Sequence, residues 1–489
     1  MAQNSIEAIS LTKSQQIVLD KIIKFVKSSA ERVFILKGYA GTGKTTLMRF
    51  LIKELQAQNS SYTLLASTGR AAKVLANLSG TNGGASTVHS LIYSFKGLSK
   101  TFEEGEEIKV DDSGQLYLVF EPMTVKEYEQ AAMIYIVDEA SMVSDVKSID
   151  VTQAQYGDGR LLKNLLEYDK RPQSKFIFVG DPCQLPPVEQ YYSPALMPAY
   201  FREHLQISAQ ETQLTEIMRQ GNNSGIVYAS KRIRESYNGA PEYKSSYGTQ
   251  RVWAKLPFRY NQDIVLHAMH QEMIDDYVEK VKKYGLNSAI CICKTNAQCN
   301  QLSQTIRAKL GLQGHLQVGD LLMIVQNNMP TGLMNGDMVI VEEISNHVYR
   351  RANLTFRNIK VKELFTGNSC THLVIEEVIF QRQLNLSAVQ QQELYIDFII
   401  RMRQKGITQQ KKELFYKALQ KDEYLNALRC MYGYAVTCHK AQGGEWEDVY
   451  VDVPRNLTLN PTKEDYQWIY TAMTRAKDKL HMVDDFYFI

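Results

Sequence analysis

A glycine-rich segment between a strand-like run and a helix-like run constrains this chain more than any other feature. Val33–Leu36 is apolar throughout, Gly38–Thr45 (GYAGTGKT) fits G-x-x-x-x-G-K-[ST], and Leu47–Leu51 continues as an apolar helical run. In that context backbone N–H groups wrap phosphate oxygens at a helix N-terminus, and lysine neutralises the outer phosphates. The flanking elements favour this reading over a chance glycine-rich turn. The pattern predicts a phosphate-binding loop at the edge of an α/β sheet.

Short apolar runs without polar alternation recur along the chain, with helix-like stretches between them. Such runs are typical of parallel strands that are covered on both faces. They occur early at Val33–Leu36, Tyr62–Ala66, Met133–Val137 and Phe176–Val179, and late at Ala289–Cys293, Tyr434–Thr437, Val449–Val453 and Leu480–Val483. Two α/β domains are therefore predicted.

Two stretches interrupt this rhythm. Glu107–Pro122 has strand-like runs on either side of the polar turn Asp111–Gly114, which predicts a small hairpin insertion. Val318–Ile379 contains further short strand-like runs and the turn signal Asn335-Gly336 within Leu333–Val341, which indicates a β-rich module with a hairpin there. Leu386–Arg429 lacks proline and is rich in Gln, Leu, Lys and Glu, so two helices are expected.

Composition limits the function classes. With 489 residues the chain is long enough for roughly three domains. The 56 basic and 53 acidic residues leave a net charge of +3, so any nucleic-acid contact must be local. Seven cysteines fit reduced thiols and a cytoplasmic protein, and no membrane span or processed leader is predicted. Cys291, Cys293 and Cys299 invite a zinc interpretation, but no fourth ligand is evident and buried thiols are favoured.

A pair of carboxylates follows the predicted strand Met133–Val137. Asp138 and Glu139 stand at its carboxyl end, where ligands bind in open α/β sheets. Asp138 would hold magnesium through water, and Glu139 would polarise an attacking water. A solvated acidic pair at a helix start is the alternative, since the helix dipole also favours acids there. The nearby phosphate loop favours the catalytic interpretation.

A third strand carries a more specific string. Phe176–Val179 is followed by Gly180–Val188 (GDPCQLPPV), and Asp138–Ser141 (DEAS) precedes both. Together these segments resemble motifs II and III of superfamily 1 helicases, in which a glutamine senses the γ-phosphate. The resemblance implies that role for Gln184.

Further segments resemble motifs of the same family in the same order. They are Leu11–Gln15 (Q motif, which reads adenine), Leu65–Ala72 (Ia), Thr87–Ser90 (Ib), Leu214–Arg219 (IV), Tyr434–Glu445 (V) and Tyr470–Lys477 (VI). The resemblance runs from Leu11 to about Leu480 and is closest to superfamily 1B, which includes the RecD-like and phage Dda-type helicases and is related to the PIF subgroup. Between motifs II and III, Tyr156–Leu162 (YGDGRLL) stands in place of the PIF signature.

The resemblance implies an α/β fold of two RecA-like P-loop domains, with a β-hairpin wedge and an SH3-like β-rich insertion extended by helices. The implied domains are 1A (residues 1–200, with the hairpin insertion 1B at 91–130), 2A (201–316 and 431–489) and 2B (317–430). Phe95 or Tyr117 would lie near the wedge. The helical extension of 2B resembles that of Dda-type enzymes.

The resemblance also implies roles for individual residues. Catalysis is expected from Lys44, Glu139, Gln184, Arg219 and Arg475. Nucleotide contacts are expected from Gln15, Gly38, Ala40, Gly41, Thr42, Gly43, Lys44, Thr45, Thr46, Gly444 and Glu445, and Mg²⁺ contacts from Thr45 and Asp138. Single-stranded DNA would contact Thr68, Gly69, His89, Pro187, Asn328 and His439. Arg219 and Arg475 are expected in the second half, so they would reach ATP only in a cleft between the halves.

The implied function is an ATP-dependent helicase that moves 5′ to 3′ on single-stranded DNA. It would act as a monomer on tailed or forked duplexes in DNA replication, repair or recombination. A P-loop kinase or nucleotide switch needs only Lys44, Thr45 and Asp138, whereas Gln184 paired with Arg475 favours a helicase. A non-catalytic DNA-binding subunit is the third alternative, and intact Lys44, Glu139 and Arg475 argue against it.

Overall fold

The computed structural model describes residues 10–28, 30–79, 84–101, 116–126, 132–147, 154–218, 224–244, 252–259, 262–380 and 385–489. The chain forms two compact units. The first comprises residues 1–92, 124–145 and 161–227, and the second comprises residues 93–123, 146–160 and 228–489. In the described part of the chain, no helix is both long enough and apolar enough to span a membrane.

The strands are, in chain order, β1 (Val33–Gly38), β2 (Tyr62–Ala66), β3 (Ser86–Thr87), β4 (Tyr93–Leu98), β5 (Leu118–Pro122), β6 (Ile134–Asp138), β7 (Ala154–Tyr156), β8 (Lys175–Gly180), β9 (Ala209–Leu214), β10 (Ile264–His267), β11 (Ala289–Cys293), β12 (Leu321–Ile324), β13 (Met338–Arg351), β14 (Leu354–Glu363), β15 (Ser369–Ile375), β16 (Cys430–Tyr432), β17 (Ala435–Thr437), β18 (Trp446–Val451) and β19 (Ala476–Val483).

The α-helices are α1 (Lys13–Lys27), α2 (Lys44–Ala57), α3 (Gly69–Ser79), α4 (Val88–Ile92), α5 (Leu161–Tyr168), α6 (Pro198–Leu205), α7 (Gly225–Gly239), α8 (His270–Tyr284), α9 (Asn296–Lys309), α10 (Glu376–Phe380), α11 (Ala388–Gln404), α12 (Lys412–Lys421), α13 (Cys438–Ala441), α14 (Arg455–Thr458) and α15 (Lys463–Met473). Single 3₁₀ turns lie at Ala140–Met142 and Pro194–Leu196.

The first unit is built on a parallel sheet with the strand order β3-β2-β6-β8-β1-β9. All four early strands predicted from apolar runs are present, and their central residues are fully buried, as parallel strands covered by helices require. The edge strand β9 has the polar sequence AQETQL, and its side chains are mostly exposed or half-buried. The compact unit that contains this sheet includes residues 161–227.

The helix α1 shows how local sequence positions this unit. The Thr12 hydroxyl accepts a hydrogen bond from Gln15 N, and the Gln15 side chain accepts one from Thr12 N, which forms a capping box. Val18, Ile22 and Phe25 recur at helical spacing and are buried in the core that also contains the central strands. The cap and the apolar stripe therefore fix where α1 begins and which face it buries.

The second unit contains another parallel sheet, with the order β10-β19-β18-β11-β17. The four late strands predicted from sequence are confirmed, and β10 is an additional edge strand. The two parallel sheets confirm the prediction of two α/β domains.

A β-rich module follows β11 and α9 in the chain. Its five antiparallel strands have the order β15-β14-β13-β12-β16. The tight turn between β13 and β14 is at Ala352 and Asn353, which both have positive φ, whereas Asn335-Gly336 lies in the longer connection between β12 and β13. The prediction of a hairpin at Leu333–Val341 was therefore wrong. The tight hairpin turn of this module joins β13 to β14 instead. The two helices expected after Leu386 are present as α11 and α12.

The hairpin insertion is represented by β4 and β5, which pair antiparallel and are extended by β7. The predicted turn Asp111–Gly114 and the first predicted strand lie outside the described residues. Leu98 and Leu116 share a buried core with residues of α11 and α12, and the Phe95 ring stacks on Tyr416 with centroids 4.5 Å apart. The hairpin base therefore packs on the helical extension of the β-rich module.

Candidate functional site

The loop Gly38–Thr45 joins β1 to α2 and has the conformation of a phosphate cradle. Gly41 and Gly43 both have φ of +78°, in the left-handed region. A Cβ on Gly43 would lie 2.4 Å from Gln15 Nε2, and one on Gly38 would lie 2.8 Å from Lys44 Cγ, so both positions require glycine. A side chain at either glycine would therefore disturb the loop that phosphate oxygens must approach closely.

Lys44 lies at the start of α2 and is folded onto its own loop. Its Nζ donates to Gly38 O at 2.7 Å and to Tyr39 O at 3.2 Å. Next to it in the first turn, Thr45 is exposed and Thr46 is half-buried. The ammonium and the Thr45 hydroxyl are thus presented where the loop meets the helix N-terminus.

Gln15 is buried beside this loop. Its Nε2 donates to Thr42 O at 3.2 Å, and its side-chain oxygen accepts from Thr12 N. The predicted nucleotide-binding glutamine and the phosphate loop are therefore in direct contact.

Asp138 and Glu139 stand at the carboxyl end of β6. Asp138 accepts a hydrogen bond from Glu139 N at 2.9 Å, and Glu139 has a left-handed backbone with φ of +49°. Burial, followed by the charge of Glu139, raises the pKa of Asp138 to about 7, against smaller opposing effects of the Glu139 amide and Lys44. A cation bound at Asp138 would favour the ionised carboxylate and lower this pKa again.

Gln184 follows β8 in a turn held by Asp181. The Asp181 carboxylate accepts from Cys183 N at 2.9 Å, its carbonyl accepts from Gln184 N at 3.2 Å, and both side chains are buried. In the sheet, β8 lies between β6 and β1. The loops that carry Lys44, Asp138 with Glu139, and Gln184 therefore leave the same edge of three adjacent parallel strands.

The segment after β9 also reaches this edge, which the sequence analysis did not predict. Ser14 Oγ donates to Glu216 Oε2 at 2.5 Å, and Met218 N donates to Gly41 O at 2.7 Å. Arg219 itself lies outside the described residues. Its predicted place in the second α/β half therefore stays a prediction. Glu216 and Met218 lie beside the phosphate loop because β9 pairs with β1, which the polar pattern of β9 did not signal.

In the second unit, motifs V and VI meet at Arg475. This side chain is 3% exposed, and it donates to Thr471 O at 3.1 Å and to Gly444 O at 3.3 Å. Glu445 is exposed, and the next residue, Trp446, donates its N–H to Arg475 O at 3.1 Å. The guanidinium is thereby held in a defined position by its own domain.

The residues predicted to bind DNA in the first unit lie on two helix starts and one turn. The Thr68 hydroxyl accepts from Ala71 N at 3.2 Å at the start of α3, where Gly69 is buried. His89 lies in α4, where burial lowers the pKa of its imidazole to about 4 and keeps it neutral. Pro187 is buried in the turn after β8.

The two predicted DNA contacts in the second unit are Asn328 and His439, and their side chains have different surroundings. The Asn328 amide oxygen accepts from Thr331 N and Thr331 Oγ1, and its amide nitrogen donates to Asn426 O. This side chain holds its own loop. His439 is half-buried, and burial together with the charge of Lys294 lowers its pKa.

The donor set at the sheet edge fits a nucleoside triphosphate with magnesium. The loop offers backbone N–H groups at a helix start and one ammonium for phosphate oxygens. The Thr45 hydroxyl and the Asp138 carboxylate are oxygen donors, which Mg²⁺ prefers to nitrogen and sulfur. All seven cysteines are free thiols, and Cys291, Cys293 and Cys299 are buried.

Comparisons with known proteins agree with this geometry. A family model described as an AAA domain matches residues 10–248, and one described as a UvrD-like helicase C-terminal domain matches residues 432–483. An uncharacterised protein of Acanthamoeba polyphaga mimivirus is 22% identical over 537 residues, which cover 95% of this chain and 98% of that protein. The ATP-dependent DNA helicase dda of Enterobacteria phage T4 is 30% identical over 225 residues, which cover 46% of this chain and 42% of that helicase.

A solved structure of two coordinating Pif1 helicases at forked duplex DNA has a similar fold. It superposes with a TM-score of 0.50 at 17% identity, covering 97% of this chain and 92% of that one. Two parallel α/β sheets, with a phosphate loop and paired carboxylates on the first, are features of a P-loop nucleotide-hydrolysing enzyme. In sequence the chain is thus similar to the UvrD-like helicase C-terminal domain and, over part of its length, to the dda helicase of phage T4, and in fold it is similar to a Pif1 helicase.

Proposed function

We propose that this chain is an ATP-dependent DNA helicase that moves 5′ to 3′ along single-stranded DNA and separates tailed or forked duplexes. The observation that carries the proposal is the convergence of Lys44, Asp138 with Glu139, and Gln184 at one edge of the first sheet. A protein that only binds nucleotide needs the loop and a metal ligand. The additional carboxylate and glutamine equip this edge for hydrolysis that responds to the γ-phosphate.

The chemistry follows from the positions of these side chains. Lys44 exchanges its contact with Gly38 O for the outer phosphate oxygens and neutralises their charge. Thr45 and Asp138 hold Mg²⁺, which when bound neutralises charge on the phosphate oxygens. Glu139 orients the attacking water and accepts its proton, and Gln184 contacts the γ-phosphate end of the site.

Arg475 serves as the arginine finger in this proposal. Its guanidinium already carries a fixed orientation from its bonds to Thr471 O and Gly444 O, so little side-chain freedom is lost when it meets phosphate. Removal of an arginine finger costs about 10³- to 10⁵-fold in rate in other nucleotide hydrolases. Glu445 and Gly444 would accompany it as nucleotide contacts.

Single-stranded DNA would cross the starts of α3 and α4 in the first unit and the α13 region in the second. Thr68, His89 and His439 are the half-buried side chains there that DNA can reach with modest adjustment. Neutral imidazoles offer stacking faces to bases and a hydrogen bond to phosphate, and neither requires sequence specificity. We place the protein in the reducing cytoplasm, acting as a monomer.

ATP hydrolysis measured with and without single-stranded DNA tests this proposal. We expect the strand to stimulate turnover and Lys44→Ala to abolish it. Lys53→Ala is the matched control, because Lys53 is an exposed lysine on the same helix whose ammonium lies over the Phe50 ring. Turnover that ignores DNA, with Lys44 still required, would instead favour a P-loop enzyme of another class.

A further inference from the structure

Three potential metal ligands converge in the second unit, and none of them lies in a segment that resembles a helicase motif. His267 ends the edge strand β10, His481 lies in the neighbouring strand β19, and Asp276 lies on α8, which packs on both strands. His481 Nδ1 is 3.2 Å from His267 Nε2 and 3.2 Å from Asp276 Oδ2. The three ligand atoms all lie within 4.8 Å of one another.

These separations match the edges of a zinc coordination tetrahedron. Zinc binds imidazole nitrogen and carboxylate oxygen at about 2.0 to 2.2 Å, so two ligands of one tetrahedral ion stand about 3.3 Å apart. Two of the three separations in this cluster are already at that value. The third separation, between His267 and Asp276, is within 4.8 Å, and both of these side chains are partly exposed.

The surroundings of His481 resemble the second shell of a metal site. Its other ring nitrogen, Nε2, is 3.4 Å from Asp448 Oδ2, and Asp448 is in turn paired with Lys280 at 2.8 Å. A carboxylate at Nε2 favours a proton there, which leaves the lone pair of Nδ1 directed at His267 and Asp276. Metal-bound histidines are commonly oriented in this way.

Asp276 is also held from outside the cluster. The Tyr450 hydroxyl donates to Asp276 Oδ2 at 2.6 Å, and the Tyr450 ring stacks on His481 with centroids 4.1 Å apart. His481 is buried, whereas His267 and Asp276 are partly exposed. The side of the cluster at His481 is therefore buried and fixed in position. The side at His267 and Asp276 is open to water and to an entering ion.

We propose that His267, Asp276 and His481 bind one divalent transition-metal ion, with zinc as the fitting ion and water in the fourth position. Two imidazoles and one carboxylate suit zinc, whereas Mg²⁺ prefers oxygen ligands throughout. The bound ion ties the edge strand β10 to β19 and α8, and so stabilises the second unit. The site does not depend on the nucleotide-binding role proposed for the first unit.

Zinc binding to the full chain tests this proposal without nucleotide or magnesium. The protein is stripped with a chelator and then titrated with ZnCl₂ in competition with a chromophoric chelator. We expect one zinc ion per chain, and we expect His267→Asn and Asp276→Asn each to weaken its binding by more than about 100-fold. Both altered residues are partly exposed, so the fold should survive, and circular dichroism checks that it does.

The control variant is His270→Asn. His270 lies on the same helix as Asp276 and pairs with Asp452 at 2.9 Å, yet it is not part of the cluster. Its replacement should leave zinc affinity unchanged. The proposal would be overturned if His270→Asn lost as much zinc affinity as the cluster variants. It would also be overturned if all variants bound zinc as tightly as the wild type.

Cobalt distinguishes the cluster from the buried thiols. Co²⁺ bound by two imidazoles and a carboxylate gives visible d–d bands without a thiolate-to-cobalt band in the near ultraviolet. A strong thiolate band that disappears in Cys293→Ser would assign the ion to the cysteines and refute the proposal. Absence of stoichiometric zinc would show that His481 is instead held by hydrogen bonds and charge between the two carboxylates.

Discussion

Lys44 Nζ donates a hydrogen bond of 2.7 Å to the carbonyl oxygen of Gly38, the first glycine of its own phosphate loop. The lysine ammonium therefore already lies at the phosphate loop, so its positive charge is in position before a triphosphate binds. The same loop contacts Gln15 through Thr42 O and Met218 through Gly41 O. Three segments far apart in the sequence thus meet at one phosphate-binding turn.

Lys44→Ala should reduce the kcat of ATP hydrolysis by at least about 10²-fold, because one charged donor to the transferring phosphoryl group is lost. Steady-state turnover with saturating single-stranded DNA measures this. Lys53→Ala should keep wild-type turnover. A similar loss in both variants would point to helix destabilisation rather than to a phosphate contact.

Gly43→Ala should abolish nucleotide binding, whereas Gly406→Ala should not. Both glycines have positive φ, of +78° and +71°, so each substitution carries backbone strain of about 1 kcal/mol. Only at Gly43 does the added Cβ meet another group, Gln15 Nε2 at 2.4 Å. Binding of a fluorescent ATP analogue separates the two, and tight binding by Gly43→Ala would contradict the loop geometry.

Arg475→Lys should lower the kcat of DNA-stimulated hydrolysis by about 10³-fold while ATP affinity changes little, because a lysine cannot reproduce the planar guanidinium. Arg455→Lys is the control, since Arg455 forms an exposed ion pair with Asp485. Melting temperatures of both variants reveal any structural loss from the bonds of Arg475 to Gly444 and Thr471. Normal kcat in Arg475→Lys would refute the finger assignment.

Tyr416→Ala should impair strand separation but spare DNA-stimulated ATP hydrolysis. The Tyr416 ring supports Phe95 at the hairpin base, and such a stacked pair contributes about 0.5 to 1.5 kcal/mol. A loosened hairpin would transmit less of the force of translocation to the duplex junction. Phe365→Ala, at an exposed aromatic of the β-rich module, serves as the control. Unimpaired unwinding by Tyr416→Ala would show that this contact is not needed for a wedge.

Asp169→Asn should destabilise the first unit in a pH-dependent way. Burial alone would raise the Asp169 pKa, but hydrogen bonds from Arg171, Ser174 and Tyr135 outweigh it and lower this pKa to about 2. Because the folded pKa lies below the ordinary value, the stabilisation is present above about pH 4 and is lost as pH falls toward 2. The depressed pKa corresponds to about 2 kcal/mol at neutral pH.

Urea unfolding of wild type and Asp169→Asn at pH 7 and at pH 3 measures this difference. We expect the variant to be less stable at pH 7, with the gap between the two proteins narrowing at pH 3. Asp145→Asn provides a comparison, because Asp145 is a buried aspartate of the same unit that accepts from Lys163 N and the Tyr200 hydroxyl. A gap that does not change with pH would contradict the ion-pair account of Asp169.

The sequence predicts those features of the fold that depend on a short run of consecutive residues. Tyr62–Ala66 is a strand with the predicted bounds, because a buried parallel strand needs an unbroken apolar run. β9 was not predicted because its sequence AQETQL is polar, as an edge strand allows. A buried strand can be predicted from its own residues, whereas the order of strands in the sheet cannot.

In the candidate site, too, contiguous motifs can be predicted from the sequence, whereas contacts between distant segments cannot. The phosphate loop and the Asp138-Glu139 pair are contiguous strings, so the sequence predicts their roles. The bond from Arg475 to Gly444 O depends on how motifs V and VI pack, and no spacing reveals it. The cluster of His267, Asp276 and His481 is equally invisible in sequence, because its members come from two strands and a helix that only the folded sheet brings together.

Unwinding of duplexes with either a 5′ or a 3′ single-stranded tail distinguishes a 5′-to-3′ helicase from the alternatives. The assay contains ATP and magnesium, with Lys44→Ala as the inactive control. The account predicts ATP-dependent opening of the 5′-tailed duplex alone, and no opening by the control. Opening only from the 3′ tail would contradict the assigned direction, and no ATP-dependent opening of either duplex would contradict helicase function itself.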